Sequence, residues 1–497
     1  KFYKNKGFYK AEIKSSFAKI TEENLFELIF NIEAGEKYYF NNIDLSVNDN
    51  FSKESFSELL EIFEDLKGKK YSTKSIDKIL DEIDRIALKK EFVFIDAKYN
   101  EKIVENNKID VEFVFDELEK FFVKRVNVYG NFITEEKVIR NSLIVDEGDA
   151  FNKLLFDKSI NNLKSKNIFK SVDTNIKDSE EDSNSKIIDI TIEEKPTGEI
   201  FAGAGTGTDG ATLTAGIKES NYLGKGIVLD ANFALSEDEL KGKFIVKNPN
   251  FRNTDKSLNT RIENTSSDFM ATSGYKTTRT GFGIGTGFEQ YSDFFVNFDL
   301  STYYEKLETS SKATEIKRKQ EGDYFENLFS YSISINKLDQ NFQPTEGYLT
   351  KFSQILPIYS DDLSIENTLN VSKYHSVNDG LILSASLFMK AVNSIDDNVR
   401  VSKRVYIPSH KLRGFESGKI GPKDGTEYVG GNYGSAVNLN TTLPNVLAGY
   451  ENVDVSLFFD AANLWHVDYN SSLDSNKIRS ATGIAVNWFT VIGPLSF

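Results

Sequence analysis

From residue 198 onward, apolar and polar positions alternate with a period of two. In "NVDVSLFFDAANLW" (452–465), Val453, Val455, Leu457 and Phe459 fall on one face, with Asp454, Ser456, Phe458 and Asp460 on the other. In "GSAVNLNTTLP" (434–444), Val437, Leu439 and Leu443 oppose Ala436, Asn438, Asn440 and Thr442; "LFSYSISINKLD" (328–339) and "VNFDLSTYYE" (296–305) repeat the scheme. Each run approaches the roughly 9–11 residues of a tilted membrane strand. With almost no helical spacing between them, the runs predict a large closed sheet over 198–497. A soluble β-sandwich would alternate too. Loop lengths favour a membrane barrel: "ETSSKATEIKRKQEGD" (308–323) and "ESGKIGPKDGTEYVGG" (416–431) read as long and polar, whereas "SVNDG" (376–380) at the other end is short. Tyr and Phe near strand ends suit interfacial girdles.

Before Lys195-Pro196 the habit differs. Lys, Glu, Ile and Phe dominate, and a unit recurs at an offset of roughly 80 residues. "EKYYFNNIDLSV" (36–47) returns as "EKFFVKRVNVYG" (119–130), and "KIDVEFVFDE" (108–117) as "KIIDITIEEK" (186–195). Each copy reads strand, helix, helix, strand, strand. Ile76, Ile79, Leu80, Ile83 and Ala87 make one apolar helical stripe, and Val111, Phe113 and Phe115 line one face of a strand. The opening residues, ending in "ENLFELIFNIEAGE" (23–36), match only the closing strands of such a unit. The boundaries are therefore 1–35 for a truncated module, 36–118 and 119–197 for two whole α+β modules, and 198–497 for the barrel. An open edge on each small sheet is either a docking rail for extended peptide, by β-augmentation, or part of a plain spacer.

Composition narrows the picture. Over 497 residues the net charge is −15 and the pI about 5.0, which argues against a nucleic-acid binder, whose affinity would come from a basic surface. Zero cysteines excludes disulfides and thiolate chemistry. No stretch reaches the roughly 18 apolar residues of a spanning helix, and mean hydropathy of −0.39 is compatible with a polar-lumened barrel. The chain opens at "KFYKNKGFYK" without an initiator Met, so a fragment or processed product is expected.

Candidate chemistry is sparse. "GTGTDG" (205–210) precedes another strand-like run, not a helix, which speaks against a dinucleotide site. His375, His410 and His466 are scattered, and no carboxylate pair sits in an apolar setting. No catalytic residue, metal site or cofactor is expected. What stands out is "HKLRGFESGKIGP" (410–422). By strand parity Asp460 faces the interior and needs a partner. Arg413, beside the turn-permitting Gly414 and the anchor Phe415, reaches it if the loop folds inward, for roughly 1–3 kcal/mol. A solvated loop arginine is the alternative. In the first barrel strand, Gly203, Gly205 and Gly207 share a face. Glycine weakens strands, so they make either a weak seam that templates other strands or room for a lumenal loop.

"KLRGF" closely resembles the RGF motif in the sixth extracellular loop of the BamA/TamA superfamily of outer-membrane assembly factors and polypeptide transporters. The resemblance extends, in order, through "GNFITEEKVIRNSL", "NIFKSVDTNI", "YLGKG", "NPNF", "RGFESGKIGPKD", "VGGN", "FFDAANLW" and "GIAVNWFTVIGPLSF". It implies a transmembrane barrel of about sixteen antiparallel strands preceded by periplasmic POTRA domains, the modules above. It implies insertion of barrel proteins into the bacterial outer membrane, without enzyme chemistry. Implied partners are unfolded barrel clients, outer-membrane lipids and accessory lipoproteins. It also implies that Arg413, with Gly414 and Phe415, pairs with Asp460. Two departures stand out. Relatives carry a glutamate where this chain has Asn440, and they continue past "GPLSF" through a final strand. The nearest rival is a POTRA-barrel transporter that secretes polypeptide; its members carry fewer modules than the repeats demand here. A passive porin is the third reading.

Overall fold

The computed structural model describes residues 2–20, 26–48, 51–89, 95–105, 107–117, 121–182, 184–207, 210–271, 273–291, 293–340, 343–378, 381–396, 398–416, 418–443, 453–475, 477–490 and 493–496. It divides into two units, residues 1–132 with 136–195, and 133–135 with 196–497.

In the first unit the repeat becomes a repeated topology. Strand Tyr39–Val47 lies parallel to Lys108–Glu117, which pairs antiparallel with Ile95–Val104; helices Glu58–Leu66 and Thr73–Lys89 fall between them in sequence. The second copy does the same with Phe122–Tyr129, Ser185–Glu194 and Phe169–Asp178. Ile76, Ile79, Ile83 and Ala87 are buried in one core with Val111, Phe113 and Phe115. Each Ile, Val or Phe side chain among them contributes about 1.5–3 kcal/mol on full burial, which is why the stripe dictates the docking. The leading piece is a helical turn, Phe2–Asn5, and an antiparallel pair, Glu12–Ile20 with Phe26–Glu33. The 118/119 boundary falls outside the described residues.

The leading piece is clasped to the next module. Asn5 Oδ1 accepts from the Lys74 backbone N at 2.9 Å, capping the Thr73–Lys89 helix from another segment. Tyr9 donates to Glu101 Oε2 at 2.8 Å and Tyr71 to Oε1 at 2.5 Å. Burial first, then the bond to Glu101, pushes the Tyr9 hydroxyl up to about 12, and the Tyr71 hydroxyl rises for the same reasons. Raised tyrosine values stabilise fully below the ordinary value of 10 and lose that contribution as pH climbs through the folded values. Absorbance titration should therefore reveal a tyrosinate forming near pH 12 that is missing from Tyr9→Phe. If the variant lacks only a hydroxyl titrating near 10, the clasp is not formed in solution.

The second unit is one antiparallel sheet of fifteen strands in sequence order. They are β1 (Gly198–Gly207), β2 (Gly210–Tyr222), β3 (Ile227–Ser236), β4 (Glu239–Asn248), β5 (Ser257–Phe269), β6 (Tyr275–Tyr291), β7 (Phe294–Thr309) and β8 (Gly322–Asn336). The series continues with β9 (Gly347–Ser360), β10 (Ser364–Asn378), β11 (Leu381–Ser394), β12 (Tyr433–Leu443), β13 (Val453–Trp465), β14 (Arg479–Thr490) and β15 (Gly493–Ser496). The resemblance implies about sixteen strands; fifteen are present among the described residues. Among the described residues β1 and β15 are edge strands, each paired on one side only.

Burial separates barrel from sandwich. Val437, Leu439, Leu457 and Phe459 are 39–46 % exposed, while their alternates Asn438 and Asp460 are 4 % and 0 % exposed. A soluble sandwich buries the apolar face. Here it points out and the polar face points in, the arrangement a bilayer demands.

Two loop expectations need correction. Residues 308–323 are not all loop: β7 runs to Thr309, a short helix Glu315–Lys319 follows, and β8 starts at Gly322. Lys317 is buried there, bonded to Ser273 O at 3.2 Å and paired with Glu427. The segment 416–431 likewise carries a small hairpin, Lys423–Asp424 with Glu427–Tyr428. Burial of Lys317 is tolerable because Glu427 and the Ser273 carbonyl partner its ammonium. The short turn between β10 and β11 includes residues 379–380, outside the described set.

Candidate functional site

The longest connection, 395–432 between β11 and β12, folds against the inner face of the wall. Antiparallel register sets Asn438 of β12 opposite Asp460 of β13, and Asn440 opposite Phe458. These four inward side chains make the receptor for Arg413.

Arg413 donates from Nε to Asp460 Oδ2 at 2.8 Å and from Nη2 to Oδ1 at 2.7 Å. Its backbone N adds a third bond to Oδ2 at 3.0 Å, and Nη2 also reaches Asn440 Oδ1 at 2.7 Å. The guanidinium lies 3.7 Å from the centre of the Phe458 ring. Asn438 Nδ2 bonds Asp460 Oδ1 at 2.8 Å and Lys411 O at 2.9 Å. The carboxylate thus accepts four hydrogen bonds, and a planar fork fits both its oxygens as no ammonium could.

Gly414 follows with φ +78° and open space where a Cβ would stand, so backbone conformation and not crowding favours glycine. Phe415 packs on a cluster that joins Leu412 and Ile420 of the loop to Ala436, Ala462 and Leu464 of the wall. Polar and apolar contacts seat the same turn.

The structure brings Arg413, Gly414, Phe415, Asn440 and Asp460 together. Asn440, at the position where the resemblance implies a glutamate, supplies an oxygen to the guanidinium. Asn438 and Phe458 were not singled out from sequence, although both share the inward parity of Asp460; the missing information was cross-strand register. Gly203 and Gly205 lie elsewhere, on the edge strand β1, opposite Thr214 and Thr212. Among the described residues a Cβ on Gly205 would meet nothing within 4 Å, while one on Gly203 would come 3.0 Å from Thr214 Oγ1. The surroundings of Gly207 lie outside the described residues.

Family comparison follows the same division. The profile described as the Omp85 superfamily domain matches residues 221–497, more than half of the chain, and includes the whole loop and its receptor. The chain belongs to the Omp85 superfamily. A POTRA profile, described as a surface antigen variable number repeat, matches residues 121–195, the module adjoining the Omp85 barrel. Over 508 residues the chain is 22 % identical to the outer membrane protein assembly factor BamA of Neorickettsia risticii, covering 99 % of this chain and 67 % of the relative. It is 25 % identical over 415 residues to BamA of Nitratidesulfovibrio vulgaris, covering 80 % of this chain and 50 % of the relative. The chain thus spans from half to about two thirds of these relatives' lengths. The crystal structure of BamA from Haemophilus ducreyi lacking POTRA domains 1–3 shares the fold, with a TM-score of 0.62 at 21 % identity over 93 % of this chain and 95 % of that one. This Omp85 protein lies in the bacterial outer membrane with its POTRA domains in the periplasm.

Proposed function

We propose that this protein folds and inserts β-barrel proteins into the bacterial outer membrane. The observation that carries the proposal is the combination of a lumen loop seated by Arg413 on Asp460 with a glycine-bearing edge strand, β1, that keeps one side unpaired among the described residues. A loop held across the interior disfavours a free conduit. An edge strand offers N–H and C=O groups to a client strand, which must satisfy its own before meeting lipid. The names of the BamA relatives agree with this reading.

In this scheme client segments first add to POTRA edges, for which Tyr39–Val47, Ile95–Val104, Phe122–Tyr129 and Phe169–Asp178 are the edge strands. They then pair with β1 and move into the bilayer. Burial and hydrogen bonding drive the process, with no catalytic residue, nucleotide or metal. Accessory lipoproteins would present clients to the POTRA domains. Depletion of the protein should strip folded barrel proteins from the outer membrane; normal levels after depletion would favour a polypeptide-secreting transporter instead.

Gly205→Val tests the seam. The valine has space, so its effect is confined to raising strand propensity, by at most about 1 kcal/mol. Stiffening β1 should slow client insertion several-fold while the barrel remains folded. Insertion at the parental rate would remove the weak seam from the mechanism.

A further inference from the structure

A second charged cluster holds the same loop at a different place. Arg400 and Lys403, on its incoming arm, are 2 % and 8 % exposed. Arg400 Nη2 donates to Glu305 Oε2 of β7 at 3.2 Å and pairs with Glu326 of β8, and Nη1 lies 3.6 Å from Asp362 in the β9–β10 turn. Lys403 Nζ is 2.8 Å from Glu326 Oε1. The Arg400 guanidinium stacks 3.9 Å from the Tyr324 ring centre, and Arg279 of β6 reaches Glu326 Oε2 at 3.2 Å.

Glu305 and Glu326 are diagonal neighbours on the inner face, since Glu305 registers with Tyr324 and Glu326 with Tyr303. Glu326 is 0 % and Glu305 2 % exposed. With the loop in place, Arg279, Arg400 and Lys403 balance Glu305, Glu326 and Asp362. Without it, Arg279, which reaches Glu326, would be the one cation of this set left for three buried carboxylates. Buried like charges of that kind are costly, so wall and loop depend on each other. The Arg413 receptor is on β12 and β13, and β9, β10 and β11 separate it in strand order from β8.

We propose that Arg400, aided by Lys403, is a positioning residue that forms a second lock, independent of Arg413. The lock seats the incoming arm on β7 and β8, so that Arg400 and Arg413 brace the loop on two separate stretches of wall. This concerns the loop's seat; it rests on the proposed function only for its consequence in insertion.

Hydrogen exchange on the refolded full chain in detergent micelles tests it without any client. The arm has protected amides to read, including Val401 N bonded to Gln320 Oε1 at 2.9 Å and Val405 N bonded to Gly431 O at 2.8 Å. The Arg413 turn has its own, on Asp460. In Arg400→Ala, amides of 399–405 should exchange on the order of 100-fold faster while 411–416 change far less. Arg413→Ala should do the reverse, and the double variant should release both. Arg400→Lys keeps the charge without the fork, and should fold and accelerate 399–405 by only about tenfold. Glu326→Gln, nearly isosteric, should loosen the same segment. Heat-modifiable migration reports that each variant is folded. Parental exchange of 399–405 in folded Arg400→Lys and Glu326→Gln would overturn the second lock, as would equal release of both segments by Arg413→Ala alone. Normal levels of folded barrel proteins after depletion, with exchange as expected, would count against the proposed function and leave the lock standing.

Discussion

Asp460→Asn will unseat the Arg413 turn and, on the proposed function, abolish most client insertion. The substitution preserves shape but turns one of two acceptor oxygens into a donor, facing groups that are themselves donors: Arg413 N, Nε and Nη2, and Asn438 Nδ2. At least one of these must lose its partner, and the guanidinium loses its counter-charge inside the lumen. Removing one member of a buried pair costs about 3–5 kcal/mol, more than the pair's net contribution, because the other member stays desolvated. Some of that cost is relieved here because the Arg413 side chain is 29 % exposed, so about 3 kcal/mol is expected, or roughly 100-fold in the seated fraction. Arg413→Lys should behave nearly as badly, since an ammonium cannot fork onto both oxygens or lie flat on Phe458. Limited proteolysis across 411–416 and urea unfolding of the refolded barrel measure the loss. A protease-resistant turn with unchanged unfolding would show that Asp460 does not hold the loop.

Leu457→Arg will destabilise the barrel by about 2–4 kcal/mol if the outer face meets hydrocarbon near the bilayer centre. The control is Ile144→Arg in the adjoining POTRA domain. Leu457 is 46 % and Ile144 42 % exposed, so geometric exposure is nearly the same at both. Only the surrounding solvent differs. An apolar side chain exposed to water tolerates arginine within about 0.5 kcal/mol, whereas in lipid the charge loses its hydration and gains nothing. Unfolding in phospholipid vesicles should therefore separate the two variants sharply. Equal tolerance would place the Leu457 face in water and return the sheet to the soluble class.

Much of this architecture is written in short-range patterns. A period of two needs only neighbouring residues to be read, and it assigned Asp460, Leu457 and Phe459 to their faces. The repeat placed the helical stripe of Ile76, Ile79 and Ile83 against Val111, Phe113 and Phe115 for the same reason: local periodicity decides which face is apolar, and the apolar face must be covered. Loop chemistry was less legible. Lys317 and Arg400 look like solvated charges from their neighbours, yet both are buried, because their partners lie on strands and loops far along the chain. Asn438 and Phe458 could not be ranked above other inward residues without knowing which position of β12 faces which of β13.

The sequence alone therefore determined that the chain ends in a long meander with a polar interior, preceded by repeated α+β modules, and that Arg413 and Asp460 are suited to each other. Alternation and repetition are local, and a buried carboxylate requires a donor wherever it sits. The tertiary structure decided the rest: four donors converging on one carboxylate, Asn440 accepting from the same guanidinium, and a second set of ion pairs on β7 and β8. Those depend on strand register and on how the sheet curls around its loop, which follow from the packing of the whole wall and not from any one stretch of it.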